Sequence, residues 1–204
     1  MALVDLTHPF SQNMPVYPSD PVPVFKQTST IEKEGYIDFT VTTGMHIGTH
    51  VDAPLHFIKD GKFIADFPVE KFYGQGVLID ARGQKSIDVD LLGQKAIKKD
   101  SIVLVLTGFS QKFGQKDYYE AYPAATEAFA KKIIALGVKI LGLDTSSPDH
   151  PPFPIHKLLL AQEVLLLENL TNLESLVGLE NFEIMAFPPK LQTDGSPIRV
   201  VAKI

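Results

Sequence analysis

An α/β fold built on a mixed sheet is the class that these 204 residues predict. Three observations carry that expectation. A β-branched apolar run at 101–106 (SIVLVL) precedes the best helical pattern in the chain, and a second apolar run at 138–143 follows it. Such a strand–helix–strand unit places two strands side by side in parallel. The first part of the chain reads as β-rich, and helix and strand alternate again near the C-terminal end.

Each element has its own warrant. Alternation and β-branched content predict strands over 24–30 and 37–43, and a buried strand over 74–81. Residues 88–96 read as a short helix. The stretch 122–136 is the clearest helix: Pro123 suits a first turn, Ala125, Phe129, Ile133 and Leu136 form an apolar stripe, and Gly137 is the stop. A short helix is expected over 155–160 and a strand over 164–167. Strands over 182–187 and 198–202 close the chain.

Composition sets limits on function. The length suits one domain, 1–204, large enough for a substantial core. With 45% hydrophobic and 21% charged residues, the chain has an ordinary soluble composition. A formal charge of −5, with Lys and Arg scattered, gives no footprint for nucleic acid. No apolar stretch reaches membrane-spanning length, and the opening MALVDLTHPF carries no signal-peptide pattern, so a cytoplasmic protein is expected. There is no Cys, which excludes disulfides and thiolate metal sites; any metal must take nitrogen and oxygen ligands.

The most pointed segment is His46-Ile-Gly-Thr-His-Val-Asp-Ala-Pro-Leu-His56, with three of the six histidines in eleven residues. His46, His50 and Asp52 stand at even spacing, which in a strand puts them on one face. Two imidazoles and a carboxylate are a donor set for a divalent transition metal. Gly48 falls between the histidines on that face and would leave room for an ion or its water. Thr49 and Val51 suit a sheet, Pro54 ends it, and His56 follows just past the strand end. His46 and His50 also satisfy helical spacing, but Gly48, the β-branched pair and Pro54 argue against a helix.

Polar residues also follow other strands: Thr107-Gly108 after 101–106, and Asp144, Thr145 and Ser147 after 138–143. Ligands gather at carboxyl ends of strands in open α/β sheets, although turn chemistry alone accounts for these residue types. Glu168 ends the run Val-Leu-Leu-Leu, where a carboxylate needs a partner and a metal would be one. With His156, twelve residues earlier, it could supply the other side of a site.

HIGTHVDAPLHF resembles the HxGTHxDxPxH signature of the metal-dependent cyclase-like hydrolases, a family that includes bacterial kynurenine formamidases, isatin hydrolases and enzymes called polyketide cyclases. Weaker likenesses follow in order along the chain. Val4 to Pro9 and Met14 to Pro18 resemble DLSxPL…MPVYPGDP, and Leu106-Thr107-Gly108 resembles LxTG. Ile155-His156 and Leu167-Glu168-Asn169-Leu170 resemble HxxLL…ENL, and Phe187-Pro188 with Gly195 to Arg199 resembles ALP…GSPVR.

The resemblance implies a swivelling β/β/α-type domain and assembly as a homodimer or homotetramer, in some members with the N-terminal segment of one subunit over its neighbour's pocket. It implies His46, His50 and Asp52 as metal ligands and His56 as the catalytic histidine. His156 and Glu168 match positions that bind a second ion in binuclear members, with Asp52 as the bridge. Tyr17 and Thr107, in the matching N-terminal and LxTG motifs, are the positions expected against substrate. Two departures bear on the substrate: Tyr17 stands where kynurenine formamidases often have Trp, and paired histidines are missing around His156.

The chemistry expected is hydrolysis of a small amide, formamide or lactam. A divalent ion, zinc or manganese, one or two per chain, would acidify water and polarise the carbonyl. His56 would move a proton to the leaving nitrogen. Metal-dependent cyclisation or dehydration of a small molecule, and metal binding without catalysis, are the alternatives.

Overall fold

In the computed structural model, which describes residues 2–204, the chain is organised by a nine-stranded mixed sheet. Its strands are β1 (Leu3–Asp5), β4 (His50–Asp52), β5 (Tyr73–Asp80), β7 (Ile102–Leu106), β9 (Ile140–Leu143), β10 (Leu165–Glu168), β11 (Glu183–Met185), β12 (Gly195–Pro197) and β13 (Val201–Lys203). Two small pairs lie outside it, β2 (Val24–Ser29) with β3 (Asp38–Thr42), and β6 (Ser86–Ile87) with β8 (Ala124–Ala125). The helices are α1 (Ile31–Glu34), α2 (Glu127–Ala135) and α3 (Pro154–Leu160).

The strand order is β1-β13-β11-β5-β7-β9-β10-β4-β12. The middle of the sheet, from β5 through β7 and β9 to β10, is parallel, as the strand–helix–strand unit predicts. Both flanks are antiparallel. Parallel strands are covered on both faces, and β7 reads accordingly as a continuous apolar run. Ile102, Leu104 and Leu106 enter one core cluster, while Val103 and Val105 enter the other. The second cluster is closed by α2 and α3 through Phe129, Ile133, Ile155 and Leu159.

β12 and β13 sit near opposite ends of the strand order, yet only Ile198, Arg199 and Val200 separate them. The four residue steps from Pro197 to Val201 span at most about 14 Å. The sheet must therefore curl until its ends approach each other. The hydrogen bonds from Ile198 N to Thr49 O (3.1 Å) and from Leu6 N to Val200 O (2.9 Å) stitch that closure. This is why the single strand expected over 198–202 is two strands, 195–197 and 201–203.

Other expectations shift at their ends. The helix expected from 122 begins at Glu127, because the Thr126 hydroxyl accepts from Phe129 N and caps it. Pro123 lies ahead of β8 rather than in a first turn. The helix expected over 88–96 is only a 3-10 turn over Val89–Leu92, stopped by Gly93 at a φ of 51°. The β2–β3 hairpin stands off the core: every residue of β3 is exposed, including Phe39 and Val41.

Candidate metal centre

β4 runs between β10 and β12, and the register decides what meets. His50 lies directly opposite Glu168 on one side and Pro197 on the other; Asp52 lies opposite Leu166 and Gly195. Directly paired residues share a face, so His50, Asp52 and Glu168 point the same way. His56 follows in the 3-10 turn Pro54–His56, and His156 sits in the first turns of α3. His50, Asp52, His156 and Glu168 are each at most 4% exposed. His50, His156 and Glu168 line a cavity of about 240 Å³ with His46 and His56, and Tyr17, Asp20, Phe57, Tyr119 and Phe153 are also on its wall; Asp52 lies behind it.

Contrary to the strand reading, His46 and Gly48 belong to a turn that precedes β4. Gly48 has a φ of 64°, and a Cβ there would lie 2.3 Å from Met14 Cε. Its place is a left-handed turn under Met14, where only glycine fits without strain, rather than a gap on a strand face. The turn brings the Gly48 carbonyl to His50 Nδ1, which donates to it at 2.8 Å. The neutral His50 ring then carries its lone pair on Nε2, which faces Asp52 Oδ1 at 3.3 Å and Glu168 Oε2 at 3.4 Å. His156 repeats the arrangement. Its Nδ1 is on Asp149 Oδ1 at 2.5 Å, and Nε2 faces Glu168 Oε1 at 3.1 Å and Asp52 Oδ2 at 3.8 Å. The other Asp149 oxygen accepts from Ile155 N at 2.5 Å, so one buried carboxylate fixes both α3 and its histidine.

His46 has both ring nitrogens on carboxylates: Nδ1 on Asp52 Oδ1 at 2.7 Å and Nε2 on Asp194 Oδ2 at 2.9 Å. Its ring stacks on His56, with centroids 3.8 Å apart, and packs on Gly195, where a Cβ would lie 2.7 Å from His46 Cε1. Asp194 Oδ2 also lies 3.3 Å from His56 Nδ1.

Proton affinities report the crowding of carboxylates. Burial works against protonated His46, but Asp52 and Asp194 outweigh it and hold the ring at about 9. Burial is likewise outweighed at His156, where Asp149 and Glu168 raise it to about 10. His46 and His50 overcome the burial of Asp52 and hold its carboxyl well below the usual range. At His56 burial prevails, with His46 adding to it, and the ring sits below the ordinary imidazole value.

The donor set fits a divalent cation. Ligand atoms of His50, Asp52 and Glu168 lie within 4.8 Å of one another, and so do those of His46, Asp52 and His56. Asp52 belongs to both sets, and its Oδ2 is buried with no hydrogen-bond partner. An orphaned buried carboxylate oxygen is costly, and a cation is what would satisfy it.

Of the residues expected from sequence, the structure gathers His46, His50, Asp52, His56, His156 and Glu168 in one place, with Tyr17 on the cavity wall. Thr107 does not join them: it is absent from the wall, and its hydroxyl and backbone N–H both go to Asp144, at 2.6 and 2.8 Å. Sequence reading missed Asp149, Asp194, Asn169, Asp20 and Ser146. Asn169 donates to the Gly48 carbonyl at 2.9 Å, and Ser146 is on the cavity wall with its hydroxyl buried and unpartnered. Asn169, beside Glu168, carried a local signal through the ENL match, and Asp20 one through the aspartate of MPVYPGDP.

Comparison with known proteins defines the class. The family model described as "Putative cyclase" matches residues 4–150. The kynurenine formamidase of Bacillus cytotoxicus is 28% identical over 98% of this chain and 96% of its own length. Isatin hydrolase A from Labrenzia aggregata, solved bound to benzyl benzoate, superposes with a TM-score of 0.87 at 25% identity, covering 98% of this chain and 93% of that one. A structure described as a potential metal-dependent hydrolase with cyclase activity has a TM-score of 0.79 at 26% identity, covering 98% and 96%. The chain belongs to this cyclase family of metal-dependent hydrolases. Among the described residues no helix is long and apolar enough to cross a membrane.

Proposed function

We propose that the protein is a metal-dependent hydrolase of a small amide, formamide or lactam, acting on a non-peptide C–N bond as its formamidase and isatin hydrolase relatives do by name. The observation that carries this reading is Asp52. It lies between two donor sets and keeps a buried oxygen without a partner. His46, His50 and Asp52 would hold one divalent ion, with His156 and Glu168 joining Asp52 for a second; zinc and manganese both suit this mixture of imidazole and carboxylate. When bound, such an ion supplies a Lewis acid for the carbonyl and lowers the pKa of water.

The remaining work falls to side chains. His56 faces the cavity with Nδ1 toward Asp194, leaving Nε2 to accept a proton from the attacking water and return it to the leaving nitrogen. Phe57, Phe153, Tyr17 and Tyr119 supply flat apolar walls for an aryl group. The protein would act in the cytoplasm as a homodimer or homotetramer, a second copy covering Tyr36, Ile37, Phe39 and Val41 on and beside the exposed hairpin.

The test is elemental analysis of purified protein together with turnover of formanilide in ¹⁸O-labelled water. The expected result is one or two ions per chain and ¹⁸O in the released formate. Turnover without ¹⁸O incorporation would move the reading to cyclisation or dehydration, and metal without turnover of any amide would remove catalysis altogether.

A further inference from the structure

The two buried imidazoles of the metal centre are braced by different means. His156 Nδ1 is held by the Asp149 carboxylate, whereas His50 Nδ1 is held by the Gly48 carbonyl, a neutral backbone group. Glycine has the widest choice of backbone conformations, so that carbonyl aims His50 only if something else fixes its peptide. Asn169 does so. Its Nδ2 donates to the same Gly48 oxygen at 2.9 Å, and its own carbonyl accepts from Thr49 Oγ1 at 2.6 Å. The peptide joining Gly48 to Thr49 is thus gripped at its oxygen and through the side chain that follows.

Asn169 is itself fixed. It follows Glu168 at the end of β10 with a φ of 54°, a left-handed conformation that asparagine tolerates better than most residues. Its N–H donates to Thr145 O at 2.8 Å, and its Oδ1 accepts from the Tyr118 hydroxyl at 2.8 Å. Gly48 O can only accept, so the amide nitrogen faces Gly48 and the amide oxygen faces Tyr118. Although Asn169 borders the cavity, each of its four polar atoms is engaged within the protein. Tyr118 is fully buried against Phe109, Phe113 and Tyr119 and is not on the cavity wall. Its hydroxyl reaches the metal centre only through that amide.

We infer that Tyr118 and Asn169 are positioning residues for His50: the hydroxyl orients the amide, the amide pins the Gly48 carbonyl, and the carbonyl holds the ring with Nε2 toward Asp52 and Glu168. Without the hydroxyl the amide is free to turn over. Its oxygen would then stand where Nδ2 now is, against Gly48 O and 3.5 Å from His50 Nδ1, where it competes for the ring proton. The inference rests on His50 as a metal ligand, as in the function proposed above, and not on the amide substrate.

The test measures Co²⁺ affinity by competition with a chelator, together with the visible spectrum of the Co²⁺-loaded protein. Wild type is compared with Tyr118→Phe, Asn169→Gly, the double variant and Phe113→Leu. Glycine accepts the left-handed backbone of residue 169, so Asn169→Gly removes the amide without adding strain. Asn169→Gly is expected to weaken Co²⁺ binding about 10- to 100-fold and Tyr118→Phe about tenfold. Both should shift the cobalt d–d bands, which report ligand geometry and which a general loss of stability does not move. The double variant should bind no more weakly than Asn169→Gly, because the hydroxyl acts only through the amide. Phe113→Leu loosens the packing around Tyr118 but keeps its hydroxyl; it should lower the melting temperature and leave the Co²⁺ affinity and bands of wild type. Wild-type affinity and bands in either single variant overturn the inference. So does an equal loss in Phe113→Leu, which would assign the effect to packing, and so do additive losses in the double variant, which would give Tyr118 another route. If wild type takes up no Co²⁺, the inference and the metal-dependent reading fall together. If the variants weaken Co²⁺ binding as expected but metal-loaded wild type does not hydrolyse formanilide, the hydrolase reading fails and the inference stands.

Discussion

The two walls of the catalytic cavity are built by opposite means. On the ligand wall, His50 and Asp52 ride on β4, Glu168 on β10 and His156 on α3, all of them buried and all held by backbone that has core packed behind it. On the more open wall, Tyr17 and Asp20 come from a loop and His56 from a single 3-10 turn, and its neighbour Asp194 has a side chain 37% exposed. The first arrangement pre-organises charged groups that are expensive to bury without a partner. The second leaves groups free to move, and to be exchanged in evolution, at little cost in stability. On the function proposed above, metal chemistry would fall to the first wall and proton transfer to the second.

Breaking the ligand wall should have the largest effect. His50→Ala removes a central donor from the set of His50, Asp52 and Glu168. Bound metal and activity should fall together, activity by about 1000-fold or more, since an ion contributes several kcal/mol to transition-state stabilisation. Circular dichroism should still show a folded protein, and undiminished metal with full activity would remove His50 from the ligands.

His56→Ala sharpens the division between walls. A residue of the proton-transfer wall should keep most of the metal while the rate drops on the order of 100-fold. Because His56 also lies within ligand distance of His46 and Asp52, a parallel loss of metal would transfer it to the ligand wall.

Asp149→Asn probes the support behind the ligands. Asparagine keeps the size but not the charge that holds His156 Nδ1–H at 2.5 Å. Metal affinity, measured by competition with a chelator, should weaken about 10- to 100-fold. The rate at saturating metal should change less. An unaltered affinity would mean that packing alone sets His156.

The smallest effect lies outside both walls. Burial holds His8 at about 4 against an ordinary 6.5, with its ring stacked 3.9 Å from Phe113. Between those values the unfolded chain binds a proton that the folded chain does not, so stability is complete above about 6.5 and declines as pH falls toward 4. His8→Phe should flatten that part of a melting-temperature profile. An unchanged profile would show that other groups account for it.

Much of this was legible in the chain. SIVLVL could only be a buried strand, and the parallel pairing of β7 and β9 follows from the helix between them. The candidate donors were legible because few residue types can hold a divalent ion and three such residues crowd into HIGTHVD. His46 reaches the site from a turn set by Gly48, so even spacing described His50 and Asp52 but not His46. Helix ends also moved, since Thr126 and Asp88 capped later or shorter elements than periodicity suggested.

By itself, then, the amino-acid order determined the chemistry on offer and the runs that must be buried, because side-chain type, apolar period and turn residues act over a few positions. The tertiary structure alone decided the company each group keeps. Glu168 faces His50 because β10 pairs with β4 in one register, and a one-residue slip would turn it to the other face. Asp194 reaches His46 and His56 across 148 and 138 residues because the sheet curls until β12 borders β4. Contacts at such separations depend on which strands pair, which the whole core settles and no local spacing encodes.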